Sequence, residues 1–508
     1  MIFMAATNAL GQTSEPAQMT GLDGWTTEPV FTVGESIDGY TPPGIPDGMG
    51  AFQREESVLI LSNHELASSA GYPYTLANGT SLRGARISAL EFDRASRELL
   101  SIGPAYHTIY NRAGEVVDEP GDLDFGGLNR LCSAGSVSRG QGGFVDDALV
   151  TGEETGSGGS GFVVDVEGEE LWALPWLGRA AWESAAVLEV PGINQTHVAV
   201  LIGDDRGNAP LLLYVGEKQP GGNFVERNGL AGGRLYMWVA DHGDLSPLDW
   251  NGTGSSRHGR FVEVNNYDLS QADDTVAQRE RGFDGLGFAT QAELDVQKAE
   301  IGAFNFSRPE DVHTNPKPGK SNQAVLASTG LRTALNRGAD LWGTTYLVDV
   351  KINRGRIRND NIAAELTILY DGDDADKQDF GIRSPDNLVW ADDGFIYIQE
   401  DRSIRPQFGA SSREEASIWK LEPGSSEAIR VAQIDRSAVP SGQIDTDPND
   451  LGDWESSGII DVTEEFDAAQ GRLFFFNVQA HSLRGGAIAS ENLVQGGQYL
   501  FLSIDDDD

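Results

Sequence analysis

Six apolar runs in this sequence end in small or polar residues, most of them acidic. They are Val58-Leu-Ile-Leu-Ser-Asn-His-Glu65, Ala148-Leu-Val-Thr-Gly-Glu-Glu154, Val198-Ala-Val-Leu-Ile-Gly-Asp-Asp205, Ala324-Val-Leu-Ala-Ser-Thr-Gly330, Phe395-Ile-Tyr-Ile-Gln-Glu-Asp401 and Leu473-Phe-Phe-Phe-Asn-Val-Gln-Ala-His481. Upstream of each, by roughly 10 to 20 residues, sits a second polar knot. In order these are Pro46-Asp-Gly-Met49, Cys132-Ser-Ala-Gly135, Trp182-Glu-Ser184, Arg308-Pro-Glu-Asp311, Ser384-Pro-Asp-Asn387 and Glu455-Ser-Ser-Gly458. Together they supply Asp47, Glu65, Glu153, Glu154, Glu183, Asp204, Asp205, Glu310, Asp386, Glu400, Asp401 and Glu455. If these carboxylates converge they require cations, because unpaired charges in a low dielectric are costly. Hard oxygen ligands suit Ca²⁺. Cys132 adds a thiolate, which iron or zinc accepts and Ca²⁺ does not. Arg308, beside acids and metals, is placed to hold an anionic substrate by a two-pronged contact.

Each residue also has a plainer reading. A single acid at a strand end is ordinarily a turn or solvent residue. Only one member of Glu153-Glu154 and of Asp204-Asp205 can face a common channel, since neighbours in a strand alternate faces. Cys132 alone reads as a small buried apolar residue, and His64 and His481 as turn caps. No Gly-x-Ser-x-Gly, His-Glu-x-x-His, Walker or Cys-x-x-Cys pattern is present.

The elements that must position these residues are strands. Short apolar or alternating runs separated by Gly, Asp, Asn and Pro dominate, and an all-β fold follows. A knot, a turn and an apolar strand repeated six times is the pattern of the inner strands of a six-bladed β-propeller with a metal cluster in its central channel. Residues 1–40 read as an N-terminal extension, either a signal-peptide remnant or an outer strand. Residues 41–485 read as the propeller, with an insertion at about 215–300, and 486–508 as a closing strand and acidic tail. Helical periodicity is confined to Gln291–Ile301 and Glu414–Leu421.

Composition narrows the classes. The 508 residues carry 37 Lys+Arg against 78 Asp+Glu, a formal net charge of −41, with only seven lysines. Such a chain is unsuited to the phosphate backbone of nucleic acids and to anionic membrane surfaces. It suits cation binding or a salty exterior that screens self-repulsion. A single cysteine excludes intrachain disulfides, and no apolar stretch is long enough for a membrane helix.

The knots, in this order, resemble the PhoX-type alkaline phosphatases, secreted bacterial β-propeller enzymes with iron and calcium. Asn63-His64-Glu65 is similar to the family's Asn-His-Glu element, and Leu131-Cys132-Ser133-Ala134-Gly135 to its Asn-Cys-Ala-Gly-Gly element. Thr151-Gly152-Glu153-Glu154 resembles Thr-Cys-Glu-Glu with the cysteine replaced, and Ala181-Trp182-Glu183 keeps only the acid of Lys-His-Glu. Ile202-Gly203-Asp204-Asp205, Arg308-Pro309-Glu310, Pro385-Asp386-Asn387, Glu455 to Gly458 and Asn477 to His481 complete the series. The resemblance implies Glu65, Cys132, Glu183 and Glu310 as iron-side ligands, and acids of the Glu153 and Glu455 knots for calcium. The metal set is then Glu65, Cys132, Glu153, Glu154, Glu183, Asp204, Glu310, Asp386 and Glu455, with Arg308 on the phosphate. It implies Ca²⁺ and, subject to the replacement at Gly152, Fe³⁺. It implies a metal-dependent phosphomonoesterase acting on small phosphate esters, located outside the cell or in the periplasm, with self-assembly left open. Two alternatives stand beside it: a non-catalytic, calcium-stabilised propeller serving as an extracellular binding or assembly module, and a calcium-dependent lactonase or arylesterase.

Overall fold

The computed structural model describes residues 13–190, 192–353, 362–425 and 427–504. The first residues of the expected N-terminal stub and the terminal Asp505–Asp508 run lie outside the described residues. The chain is all-β, with sheets arranged like the blades of a propeller around a channel. One sheet runs Pro46–Gln53, Ser57–His64, Arg86–Asp93, Leu99–Pro104. A second begins with Leu131–Val137 and Ala148–Glu153. A nine-stranded sheet carries Trp182–Val187 and His197–Asp204 at one end, and Gln323–Ser328 and Pro309–Thr314 at the other. Its two ends are joined where Ser256–Val264 pairs with Ile362–Asp371. Further sheets start from Pro385–Trp390 and Ile396–Glu400, and from Trp454–Asp461 and Leu473–Ala480. Trp25–Thr32, from the N-terminal side, pairs with Gly496–Ile504 at the outer edge of the last. This antiparallel ladder joins an N-terminal strand to the C-terminal one and covers the outer side of Gly496–Ile504.

The inner strands beginning at Pro46, Leu131, Trp182, Pro309, Pro385 and Trp454 lie side by side in that order, and the last returns to the first. Their sheets pack face to face, so both faces of most strands are buried and the runs are continuously apolar rather than alternating. Between the first and second sheets Phe52, Leu59, Leu61 and Ile87 meet Leu131, Leu149, Phe162 and Val164. Between the last and the first, Phe92 packs edge-on to Phe475 and Phe501, with ring centroids 5.4 and 5.8 Å away. Each such buried aromatic contributes about 2–3 kcal/mol by removal from water.

Gln291–Ile301 is a helix, capped by Thr290, whose hydroxyl accepts from the Glu293 N–H at 3.2 Å, and closed by Gly302 at φ 68°. The helical reading of Glu414–Leu421 is incorrect. Ser417–Leu421 is a strand laddered on both sides, to Ile396–Glu400 and Ala428–Ile434. A segment of two turns nucleates poorly, and burial of Ile418 and Leu421 between two ladders outweighs its local propensity.

Candidate metal centre

Five of the inner strands carry a bulge at the same end, with two residues opposing one on the neighbouring strand. The pairs are Asp47-Gly48, Cys132-Ser133, Glu183-Ser184, Glu310-Asp311 and Asp386-Asn387. In every case the first residue of the pair is a metal-ligating type, and the second is glycine or a polar side chain. A bulge re-aims a side chain out of the regular pleat, and here it turns the ligand toward the axis. The residue directly after the second strand of each sheet supplies the other half of the pattern: Glu65, Glu154, Asp205, Thr329, Asp401 and His481. The sixth inner strand contributes Glu455, three residues before its own bulge at Gly458.

The bulges are latched to one another. The Asn63 amide donates to the carbonyls of Cys132 and Ser133 at 2.6 and 3.2 Å, and the Asn477 amide to that of Asp47 at 2.7 Å. Asp311 accepts from the Ser133 hydroxyl at 3.1 Å and the Leu388 N–H at 2.8 Å.

These residues line one cavity of about 250 Å³: Glu65, Arg130, Cys132, Glu154, Glu183, Asp205, Arg308, Glu310, Asp386, Asp401, Glu455, Gln479 and His481 among them. Eight carboxyl groups face two guanidinium groups there, a formal excess of six negative charges. Four sets of side chains bring ligand atoms within 4.8 Å of one another: Asp47, Glu65 and Cys132; Cys132, Glu154 and Glu183; Glu183, Asp205 and Glu310; and Asp401, Glu455 and His481. Glu183 Oε2 and Gln479 Oε1 are buried without a hydrogen-bond donor among the described residues. An electron-rich cavity with orphaned acceptor oxygens fits hard cations, and its single thiol fits a softer one. A larger cavity of about 330 Å³ opens at the other end of the channel. Its walls mix apolar residues, among them Met49, Val187, Val312, Val389 and Ile459, with polar and acidic ones such as Glu189, Asp392, Asp461 and Glu464, and no such set of ligands meets there among the described residues.

Without cations the cluster must hold protons. Burial, followed by the charge of Glu65, raises the Asp47 carboxyl to about 7. Burial and neighbouring acids push Glu154, Glu183, Glu310, Asp386 and Glu455 well above the usual carboxylate range. The Cys132 thiol, which donates to Asp47 at 3.3 Å, is pushed up by burial and then by Asp47. Asp205 is the exception. Burial would raise it, but the Arg308 guanidinium, donating through Nε and through Nη2 at 2.8 Å, holds it down at about 2. Arg308 Nη2 also lies 3.1 Å from Glu310.

Of the residues singled out from the sequence, Glu65, Cys132, Glu154, Glu183, Glu310, Asp386, Glu455 and Arg308 meet in the cavity. Glu153 and Asp204 do not, and their selection is corrected. Glu153 accepts from the Asn129 and Ser160 N–H groups at 3.1 and 3.2 Å beside a separate cavity, and burial raises it to about 8. Asp204 is taken by Arg206 at 2.7 Å and by the Ala181 N–H. The last residues of their strands thus serve the scaffold, while the residues after them enter the cavity. Asp205 and Asp401 were visible as strand-end acids. Arg130 carried no signal beyond its place before Leu131, and His481 is a cavity residue bonded to Glu455 at 3.1 Å rather than a turn cap. His64 is structural: it is buried between Ser88 and the Gly44 carbonyl, and burial lowers it to about 3.

A family model described as alkaline phosphatase PhoX matches residues 149–446. The chain belongs to this PhoX family. Among solved structures, Pseudomonas fluorescens PhoX in complex with vanadate, a transition state analogue, is similar over 98% of both chains, with a TM-score of 0.64 and 15% identity, which establishes a shared fold. The β-propeller domain of the Trilobed protease from Pyrococcus furiosus aligns over 92% of this chain and 95% of its own, at a TM-score of 0.30 and 8% identity. No curated protein sequence matches this PhoX-family chain. Its departures from the family pattern are spatially linked. A Cβ on Gly152 would lie 2.5 Å from Cγ of Trp182, and one on Gly161 2.8 Å from the same ring. The indole of Trp182 fills the space that a side chain at 152 would need.

Proposed function

We propose that this chain is a metal-dependent phosphomonoesterase that acts outside the cytoplasm, working in the cavity of a six-bladed propeller whose nine-stranded sheet counts as two blades. The observation that carries this reading is the convergence of eight carboxylates, one thiol and two arginines from sequentially distant strand ends on one cavity. Calcium fits the carboxylate sets around Glu183, Asp205 and Glu310 and around Asp401 and Glu455. Iron fits the sets that include Cys132. Bound there, such ions supply Lewis acidity toward phosphoryl oxygens and lower the pKa of a bound water.

The protein's own contribution is electrostatic and geometric. Asp205 and Glu310 hold the Arg308 guanidinium by Nε and Nη2, which leaves Nη1 and its two hydrogens uncommitted among the described residues. A phosphoryl group seated over the carboxylate sets accepts from Nη1, and Arg308 offsets charge that grows in the transition state. The latched bulges fix the ligands in advance, so little reorganisation accompanies reaction.

The test is hydrolysis of a chromogenic phosphomonoester at alkaline pH, before and after chelation and with Ca²⁺ or Fe³⁺ restored. Turnover that disappears with the metal supports the reading. Absence of turnover by metal-loaded protein defeats it. In that case a large rise in melting temperature with Ca²⁺ favours the non-catalytic propeller, a reading motivated by Gly152 and Trp182 standing in place of the family's cysteine and histidine.

A further inference from the structure

We propose that Arg130 is a second anion-binding residue, the counterpart of Arg308, and that the two form a clamp for the dianionic phosphoryl group of a monoester. This inference rests on the phosphatase reading above. The two arginines occupy the same place in the fold. Arg130 directly precedes the inner strand Leu131–Val137, and Arg308 the inner strand Pro309–Thr314. Both take a positive φ, 51° and 139°, at the turn into the bulge. Each is paired with the acid that follows the second strand of the preceding hairpin around the ring: Glu65 for Arg130 at 2.5 Å, Asp205 for Arg308. Each also reaches a further cavity acid, Glu154 and Glu310 respectively.

The donor accounting is the same as well. Arg130 uses Nε on the Glu154 carbonyl at 3.2 Å and Nη2 on Glu65 and Glu154, and its Nη1 is uncommitted among the described residues. Arg308 likewise uses Nε and Nη2. The ligands Glu183 and Asp205 come from the sheet edge between them. Both arginine side chains are reachable from solvent, at 45% and 22% exposure. Glu183 Oε2, buried and unpartnered, lines the cavity between the two.

A monoester dianion offers three peripheral oxygens and two charges. A diester offers two such oxygens and one charge. Two guanidinium groups, one on either side of the Glu183 strand, match the first and over-supply the second, so the clamp selects monoesters.

The test uses the metal-loaded protein. In the wild type, phenylglyoxal modification of Arg130, read by peptide mass spectrometry, is expected to fall when inorganic phosphate is added. Equal modification with and without phosphate overturns the proposal. R130Q is expected to raise both KM for a monoester and the inhibition constant of inorganic phosphate at least about tenfold, since a charged hydrogen bond is worth a factor of roughly 10 to 100. The change in kcat should be smaller, and the preference for monoester over diester should narrow. R130K, which keeps the charge without the fork, should recover part of the affinity. Unchanged KM, phosphate inhibition and ester preference in R130Q overturn the proposal. If R130Q does not fold, the protection experiment on the wild type decides. Phosphate protection of Arg308 alone defeats only this inference, whereas protection of neither arginine, with no turnover, defeats the phosphatase reading as well.

Discussion

Replacing Arg308 by alanine tests the proposed chemistry most directly. Arg308 is held by Asp205 through two nitrogens and by Glu310 through one, which leaves Nη1 for substrate. A hydrogen bond to a charged group is worth about 1.5–3 kcal/mol, so one or two donated by Nη1 amount to roughly 3 kcal/mol of phosphate binding. At about 1.4 kcal/mol per factor of ten, kcat/KM should fall by about two orders of magnitude. The substitution also strips Asp205 of its counter-charge. Removing one partner of a buried pair costs about 3–5 kcal/mol, and the 22% exposure of the Arg308 side chain puts this case at the lower end. Folding and metal content must therefore be measured alongside rates. R308K, which keeps charge but not the fork, should recover about tenfold of the loss. D205N should leave the arginine in place but less firmly held, lowering kcat/KM by about tenfold with less effect on fold. The assay is steady-state hydrolysis of a phosphomonoester at fixed metal occupancy. An R308A protein that folds, binds its metals and stays within threefold of wild-type kcat/KM would refute the assignment.

Three other outcomes follow from the same physics. Asp340, buried outside the ligand cavity and accepting from the Ser328 and Thr344 hydroxyls, has its carboxyl raised from 3.8 to about 8 by burial and then by Asp373. Its folded-state pKa lies above the unfolded value, so its stability contribution is full below about pH 4 and is lost as pH rises toward 8, by on the order of 5 kcal/mol. D340N should flatten that part of a melting-temperature profile and be the more stable protein at pH 8. Calcium should raise the melting temperature more at pH 8 than at pH 5, because protons on the raised cavity carboxyls compete with it at the lower pH; an equal rise at both would be contrary. G152C should destabilise by about 1–3 kcal/mol through collision with Trp182, and G152C/W182H should recover most of it in the same melting assay.

The repeat of polar knots and apolar strands was legible because most hairpins leave a chemical mark at both ends: an acid or cysteine where the inner strand begins and, in four of the six, an acid where its neighbour ends. That was enough to gather Glu65, Cys132, Glu183, Glu310, Asp386 and Glu455. Which member of an acidic pair enters the cavity was not legible, because the strand ends at Glu153 and Asp204 and the cavity begins one residue later. The bulges have the same effect on the inner strands. They break the two-residue alternation on which facing was judged, so Glu310 enters the cavity while Asp311 bonds Ser133 and Leu388. Arg130 was missed since its role depends on a place before a strand rather than on any motif. The strand Ser417–Leu421 was misread because long-range pairing, absent from a local window, decided it.

The pairing of one bulge residue with one strand-end residue in successive sheets has a mechanical consequence. With the two ends of the nine-stranded sheet counted as separate blades, three of the four ligand sets combine both ligands of one blade with the bulge residue of the next, and the fourth also spans two blades. A cation held there fastens a seam between neighbouring blades. Thr329 interrupts the series, donating its hydroxyl to Glu310 where other sheets present an acid or histidine, and no ligand set joins Glu310 to Asp386 among the described residues. That seam and the one between Glu455 and Asp47, which no ligand set among the described residues bridges either, depend on protein contacts alone, so stripping the ions should loosen the other four junctions while leaving these two shut. Hydrogen exchange before and after chelation would map the difference seam by seam.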